Sequence, residues 1–179
     1  MRLFGWFSLA LLLASPLAGA DELSGRRAPG FSLPDLNLNQ HDLADFRGKL
    51  VLLDFMKTDC PHCQTLARLL EEVKAKYGSR VAILSLVMPP DNQSTVLRFI
   101  QANFLTTMVL FDCGQTAASY LKATPRNPSV EMPHLFIIDG EGMIRHDYAF
   151  EPNRQLFEGK GLFKVLDGML AGPPAGKKK

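Results

Sequence analysis

Cys60 and Cys63 stand where an apolar run meets a helical pattern, and that placement constrains the chain more than any other feature of its sequence. The run Leu50, Val51, Leu52, Leu53 predicts a buried strand over residues 50–55. From Gln64 onward, Leu66, Leu69, Leu70, Val73 and Tyr77 keep the i, i+3, i+4, i+7 spacing of a helix with one buried face. The helix is expected over residues 60–77, with Gly78 placed to close it. Strand, tight turn and helix in that order put the cysteine pair at a helix N-terminus. Unpaired N–H groups and the macrodipole favour negative charge there, so a thiol ionises more readily than in free solution. The thiolate is the species that attacks disulfides, and the pattern points to thiol–disulfide exchange.

Cysteine count supports that chemistry. Three cysteines in 179 residues rule out complete pairing within the chain. A bridge across a two-residue gap closes too short a loop to restrict the unfolded chain much, so it is a poor structural staple. It reads instead as a disulfide that turns over. Cys113, the leftover, is expected to be buried or inert, as free cysteines usually pack as small hydrophobes. The competing expectation is a third redox thiol, since the end of its strand would open on the same sheet edge as the pair.

The N-terminus carries the parts of a secretory signal peptide over residues 1–20: a basic start at Met1-Arg2, an almost wholly apolar stretch over residues 3–14, then Pro16 and Ala18-Gly19-Ala20. The apolar stretch is shorter than the roughly 20 residues a bilayer-spanning helix needs, so no stable membrane anchor is expected after cleavage. The expected location is exported, periplasmic in a Gram-negative source, where an oxidising compartment suits disulfide chemistry. Residues 21–27 are expected to be loose, residues 28–170 to form one domain, and residues 171–179 to be a disordered Lys-tipped tail. Charge is nearly balanced, 20 basic against 18 acidic side chains, with three of the basic ones in the tail. Nothing in that balance favours nucleic acid as a partner.

Further along, short apolar pieces between Pro, Asn and Gly over residues 28–49 predict two small strands in a hairpin with a long turn. Residues 81–87 (VAILSLV) predict a strand buried on both faces, ended by Pro89-Pro90. Val96, Leu97, Ile100 and Phe104 give the stripe of a second helix; residues 108–111 a third central strand; residues 115–122 a short helix. Residues 135–138 and 143–150 read as hairpin arms around Asp139-Gly140-Glu141-Gly142, and residues 155–170 as a last amphipathic helix. The order β-β-β-α-β-α-β-α-β-β-α is that of an α/β domain mixing parallel crossovers with a terminal hairpin.

That order, with CxxC after the first central strand and Pro133 opening the late hairpin, resembles the thioredoxin fold. More closely it is similar to the exported thioredoxin-like reductases of the TlpA/ResA type in the redoxin superfamily. The matching pieces are Ala28-Pro29-Gly30-Phe31-Ser32-Leu33, Phe46-Arg47-Gly48-Lys49, Cys60-Pro61-His62-Cys63, Met132-Pro133 and Phe136-Ile137-Ile138-Asp139-Gly140. The resemblance implies a three-layer sandwich with a mixed central sheet, an N-terminal β-hairpin and an inserted βα unit. It also implies that Cys60 attacks, that Cys63 resolves the mixed disulfide, and that Pro133 is a cis-proline beside the pair. The backbone before it, at Met132, would receive an extended substrate segment, with His134 where relatives tend to carry Thr. Asp54, six residues before Cys60, falls where thioredoxin holds a buried acid. An acid in an apolar strand has a raised pKa, which suits it to take the Cys63 proton. The implied partners are protein thiols or disulfides and an upstream redox protein, and no cofactor is implied beyond the Cys60–Cys63 disulfide.

Departures from the family pattern concern the tuning of the pair. Pro61-His62 is the dipeptide of the periplasmic oxidase that introduces disulfides; a histidinium there stabilises the thiolate and raises the potential. The family's WxxWC is replaced by Met56-Lys57-Thr58-Asp59-Cys60. Asp59 disfavours the neighbouring thiolate and Lys57 offsets it. The segment over residues 124–131 is longer than the resemblance leads one to expect and would border the substrate groove. A thiol peroxidase would need Pro at position 53 and Thr at 57 for its P-x-x-x-T-x-x-C signature, and the chain has Leu53 and Lys57. A metal site is not expected, because structural zinc wants a second close ligand pair. A copper carrier built on the same thiolates is the alternative.

Overall fold

The computed structural model describes residues 23–123, 126, 130–159 and 161–171. The expected signal peptide, residues 172–179 of the tail and most of the 124–131 segment lie outside them. Seven strands are present: β1 (Ser32–Pro34), β2 (Gln40–Asp42), β3 (Leu50–Met56), β4 (Val81–Val87), β5 (Met108–Phe111), β6 (His134–Ile138) and β7 (Ile144–Ala149). The helices are α1 (Pro61–Tyr77), α2 (Gln93–Asn103), α3 (Gln115–Leu121), α4 (Arg154–Glu158) and α5 (Gly161–Leu170).

The apolar runs become the middle of a five-stranded sheet of order β5-β4-β3-β6-β7. β3 pairs parallel with β4, and β4 with β5, while β6 runs antiparallel to β3 and β7 antiparallel to β6. Every residue of β3 and β4 is buried, as two-sided central strands require. On one face, Val51, Leu53, Phe55, Leu84 and Leu86 pack with Phe136 and with Ala117 and Tyr120 of α3. On the other, Leu50 and Leu52 meet Leu66, Leu70 and Val73 of α1, with Leu162 and Leu166 of α5. Met56 and Val87 on that face pack with Cys63 and with Val96 and Phe99 of α2. The result is the expected three-layer α/β sandwich.

Two expectations change. Residues 23–27 are not loose. The Gly25 N–H donates to the Ile144 carbonyl at 2.8 Å, the Ile144 N–H donates back to the Arg26 carbonyl at 2.8 Å, and Arg27 bridges Met143. The cause is the edge of β7, whose backbone groups need partners, together with burial of Leu23. The last helix is not continuous: it breaks at Gly159, between α4 and α5. Glycine weakens a helix interior, and Gly161 lies so close to Leu156 that an added Cβ would meet its Cα at 3.2 Å. The N-terminal hairpin forms as expected, a two-stranded sheet of its own with Ser32 opposite Asp42.

Candidate active site

Cys60 is the N-cap of α1 rather than its first helical residue, with extended backbone and Pro61 following at the first turn. Proline suits that position because its missing N–H would have no helical partner. The Cys60 sulfur accepts the Cys63 N–H at 3.3 Å. A thiolate at this position would face the positive end of a 17-residue helix. Its own S–H points at the Met132 carbonyl, 3.8 Å away. Cys60 is partly exposed, whereas Cys63 is fully buried, and both thiols are free. One sulfur is placed to meet an incoming disulfide; the other can meet only Cys60.

Beneath the pair lies Asp54, fully buried. Strand alternation puts it between Leu52 and Met56 on the face that α1 covers. The Ser85 hydroxyl, directly across on β4, donates to Oδ2 at 3.5 Å, while Oδ1 has no hydrogen-bond partner. Burial pushes the Asp54 carboxyl up to about 8, and the Ser85 bond opposes this only in part. The Cys63 thiol is pushed well above the usual thiol range, by burial first and by the Asp54 charge second. Two groups this short of solvent disfavour each other's anions, so their protons are linked. A carboxyl able to ionise near neutral pH beside a thiol that cannot is the pairing needed to move the Cys63 proton.

Antiparallel β6 brings the other half of the site to the same edge, with His134 opposite Phe55 of β3. The Met132–Pro133 peptide bond is cis, Pro133 is buried, and Met132 packs against the cluster that contains Cys60. His134 is turned inward: its Nε2 lies 2.6 Å from Asp147 Oδ1 and its ring stacks on Phe136 at 4.7 Å. The second Asp147 oxygen accepts the Leu23 N–H at 3.1 Å. His134 is thus held within the sheet, joining the cis-proline to β7 and the N-terminal segment.

His62 stacks on Phe150 at 4.3 Å, and its Nδ1 lies 3.5 Å from Glu158 Oε1. When the imidazole is protonated, that carboxylate balances its charge and dilutes its pull on the Cys60 thiolate. Lys57 is partly buried, and its carbonyl accepts the Cys60 N–H at 3.4 Å. Asp59 is exposed. Sequence alone did not single out Ser85, Glu158 or Asp91; only the strand register could have pointed to Ser85. Cys113 is exposed, so the burial offered for it as a buried or inert thiol does not occur. It follows β5 by two residues at the edge where the parallel strands end, and Asp112 is buried in its place, capping α3 through the Thr116 and Ala117 N–H groups at 3.1 and 2.8 Å. Among the described residues, no group of three or more His, Cys, Asp or Glu side chains is arranged to hold a metal ion.

The chain is similar to known proteins. The thioredoxin-like protein YneN of Bacillus subtilis is 28% identical over 123 residues, 68% of this chain and 68% of that protein. The thiol-disulfide oxidoreductase ResA of Bacillus anthracis is 26% identical over 135 residues, 75% of each. Among solved structures, a putative thiol:disulfide interchange protein DsbE from Chlorobium tepidum superposes with a TM-score of 0.68 at 24% identity, covering 82% of this chain and 97% of that one, which is a likeness of fold. Residues 24–147, spanning the N-terminal strap through β7, match the AhpC/TSA family, and the chain belongs to that family.

Proposed function

We propose that this thiol-disulfide oxidoreductase works through Cys60 and Cys63 as its redox pair, with proteins as substrates. The Cys60 thiolate attacks one sulfur of a substrate disulfide. The S–S bond breaks, its other sulfur leaves as a thiolate, and a mixed disulfide with Cys60 remains. Asp54 takes the Cys63 proton, and the Cys63 thiolate attacks the Cys60 sulfur. The second substrate thiol is released, the Cys60–Cys63 pair is left oxidised, and the substrate has gained two electrons. An upstream redox partner returns the pair to the dithiol; the same steps in reverse oxidise a substrate. Pro133 and the Met132 backbone line the place where an extended substrate segment would lie beside the sulfur. The leader-like N-terminus over residues 1–20 supports export, to the periplasm in a Gram-negative cell.

The observation that carries this reading is the asymmetry of the two thiols. One is half open on a helix N-terminus, and the other is sealed above a buried acid. Cys63→Ala is expected to accumulate mixed disulfides through Cys60, seen as reducible adducts on non-reducing gels, while Cys60→Ala accumulates none. A wild-type protein that forms no Cys60–Cys63 disulfide at any glutathione ratio would end the proposal. The same titration gives the potential, and its sign against glutathione assigns the direction of electron flow.

A further inference from the structure

A carboxylate from the loop between β4 and α2 reaches across to the turn that delivers Cys60. Asp91 Oδ2 accepts the Thr58 N–H at 3.0 Å. Its Oδ1 accepts the Thr58 hydroxyl, and also the Thr95 hydroxyl at 2.9 Å. Asp91 is itself tied down, its N–H donating to the Met88 carbonyl at 3.0 Å. The next residue, Asn92, caps α2 through the Ser94 and Thr95 N–H groups at 2.9 and 3.3 Å. On the other side of the turn, the Gln64 amide donates to the Thr58 carbonyl at 3.4 Å. Thr58 is gripped at its N–H, its hydroxyl and its carbonyl, two residues before the reactive thiol.

Such a grip matters because of where Cys60 sits. An N-cap is only half in the helix: the Cys60 carbonyl accepts the Gln64 N–H at 3.1 Å, but its backbone angles are not helical, so its position also depends on the chain that precedes it. Cys60 has extended backbone, φ −93° and ψ 117°. The stabilising contact is the Cys63 N–H at 3.3 Å, an ordinary distance for a sulfur acceptor, and it depends on where the turn places the sulfur. A small drift of the 57–59 turn would open it. We propose that Asp91 and Thr58 form a positioning clamp that keeps the Cys60 sulfur on the N-terminus of α1, and so sets its reactivity and the potential of the pair. The clamp rests on Cys60 being the attacking thiol.

Position and charge predict opposite signs, which makes the clamp testable. A bare negative charge near Cys60 disfavours its thiolate, so removing a carboxylate that acted only by charge would speed the thiol and raise the potential. Removing a clamp slows the thiol, destabilises the reduced form and lowers the potential. Thr58→Val changes no charge and keeps the shape; Asp91→Ala removes both bonds from the carboxylate to Thr58. Alkylation of Cys60 by iodoacetamide at pH 7, mapped by mass spectrometry, is expected to fall about threefold in the first and about tenfold in the second, which is the loss of roughly one hydrogen bond's worth of thiolate stabilisation or more. Both variants are expected to hold a larger oxidised fraction at a fixed glutathione ratio, with circular dichroism confirming that each is folded. If Asp91→Ala does not fold, Thr58→Val decides. Wild-type rates in folded Thr58→Val, or a faster thiol and a higher potential in Asp91→Ala, overturn the clamp. Failure of the redox pair is distinguishable, because the wild type itself then forms no Cys60–Cys63 disulfide, and the clamp falls with it.

Discussion

Asp54 shows how one residue can be costly to the fold and useful to the chemistry. Its side chain has a single long hydrogen bond and one oxygen with no partner, in a sheet otherwise lined with Leu, Val and Phe. A buried polar atom without a partner costs about 1–3 kcal/mol, a cost that structure alone does not repay. Its return lies in the proton of Cys63. Replacing it by Asn keeps the shape and removes the base. Asp54→Asn is expected to slow resolution of the mixed disulfide by about 10²-fold, the usual lower scale of general-base contributions, while alkylation of Cys60 changes far less. The wild-type resolution rate is expected to rise with pH through about 8, as the carboxyl ionises, and the variant to lose that rise. Stopped-flow release of a thiol from a preformed mixed disulfide measures both; an Asp54→Asn enzyme with the wild-type rate and pH limb would take the base away from Asp54.

Among the elements, α1 connects the site to the core. It buries Leu66, Leu70 and Val73 on the sheet, and its lysines Lys74 and Lys76 fall in the last turn, where the dipole favours them. Leu70→Ala is expected to cost about 2–5 kcal/mol, because the fully buried site leaves a cavity. Gly78 closes the helix at φ 57° and ψ −135°, a region open to glycine and strained for other residues. Gly78→Ala is expected to cost about 1–3 kcal/mol. Urea unfolding of both variants checks these values, and a Gly78→Ala protein of wild-type stability would mean that the helix ends some other way. The signals that define α1, β3 and β4 are local and periodic, so the sequence carried them nearly to the residue. The break between α4 and α5 was hidden because Leu156, Phe163, Leu166 and Leu170 stay in phase across it while Gly159 and Gly161 interrupt the backbone. The docked strap at residues 23–27 was hidden because its partner is the edge of β7, far along the chain. Cys60, Cys63, Asp54 and Pro133 were legible from spacing and resemblance. Asp91 and Glu158 were not, since each acts on the site through a tertiary contact that no periodicity encodes.

At the scale of the whole molecule, the two sets of titrating carboxyls pull stability in opposite directions along the pH axis. Asp35 is held down to about 2, chiefly by its bond to His41. Glu71 and Asp139 are lowered, their hydrogen bonds to the Thr106–Thr107 backbone and to Met143 and Arg145 outweighing their burial. Asp167 is lowered by Tyr77 and Lys76. In these groups the native state binds the proton more weakly than the unfolded chain, so their stabilisation is present above the ordinary carboxyl range and is lost as pH falls through it. Asp54 has the opposite sign. Unfolded, it ionises near 3.8; folded, it keeps its proton to about 8. Between those values the unfolded chain binds fewer protons, so stability declines as pH rises and levels off once the folded carboxyl has ionised. The reduced protein is therefore expected to be most stable at about pH 4–5 and to weaken by several kcal/mol toward pH 8, an order of magnitude set by the size of the Asp54 shift. Asp54→Asn removes the declining limb. It is expected to match the wild type near pH 4 and to exceed it at pH 8 by about 2–5 kcal/mol, although its resolution step is slower. Urea midpoints of the reduced wild type and Asp54→Asn from pH 3.5 to 9 measure the two limbs. A wild-type profile that stays flat from pH 4 to 8 would mean that Asp54 is charged in the folded protein, and the buried-acid step of the mechanism would fail with it.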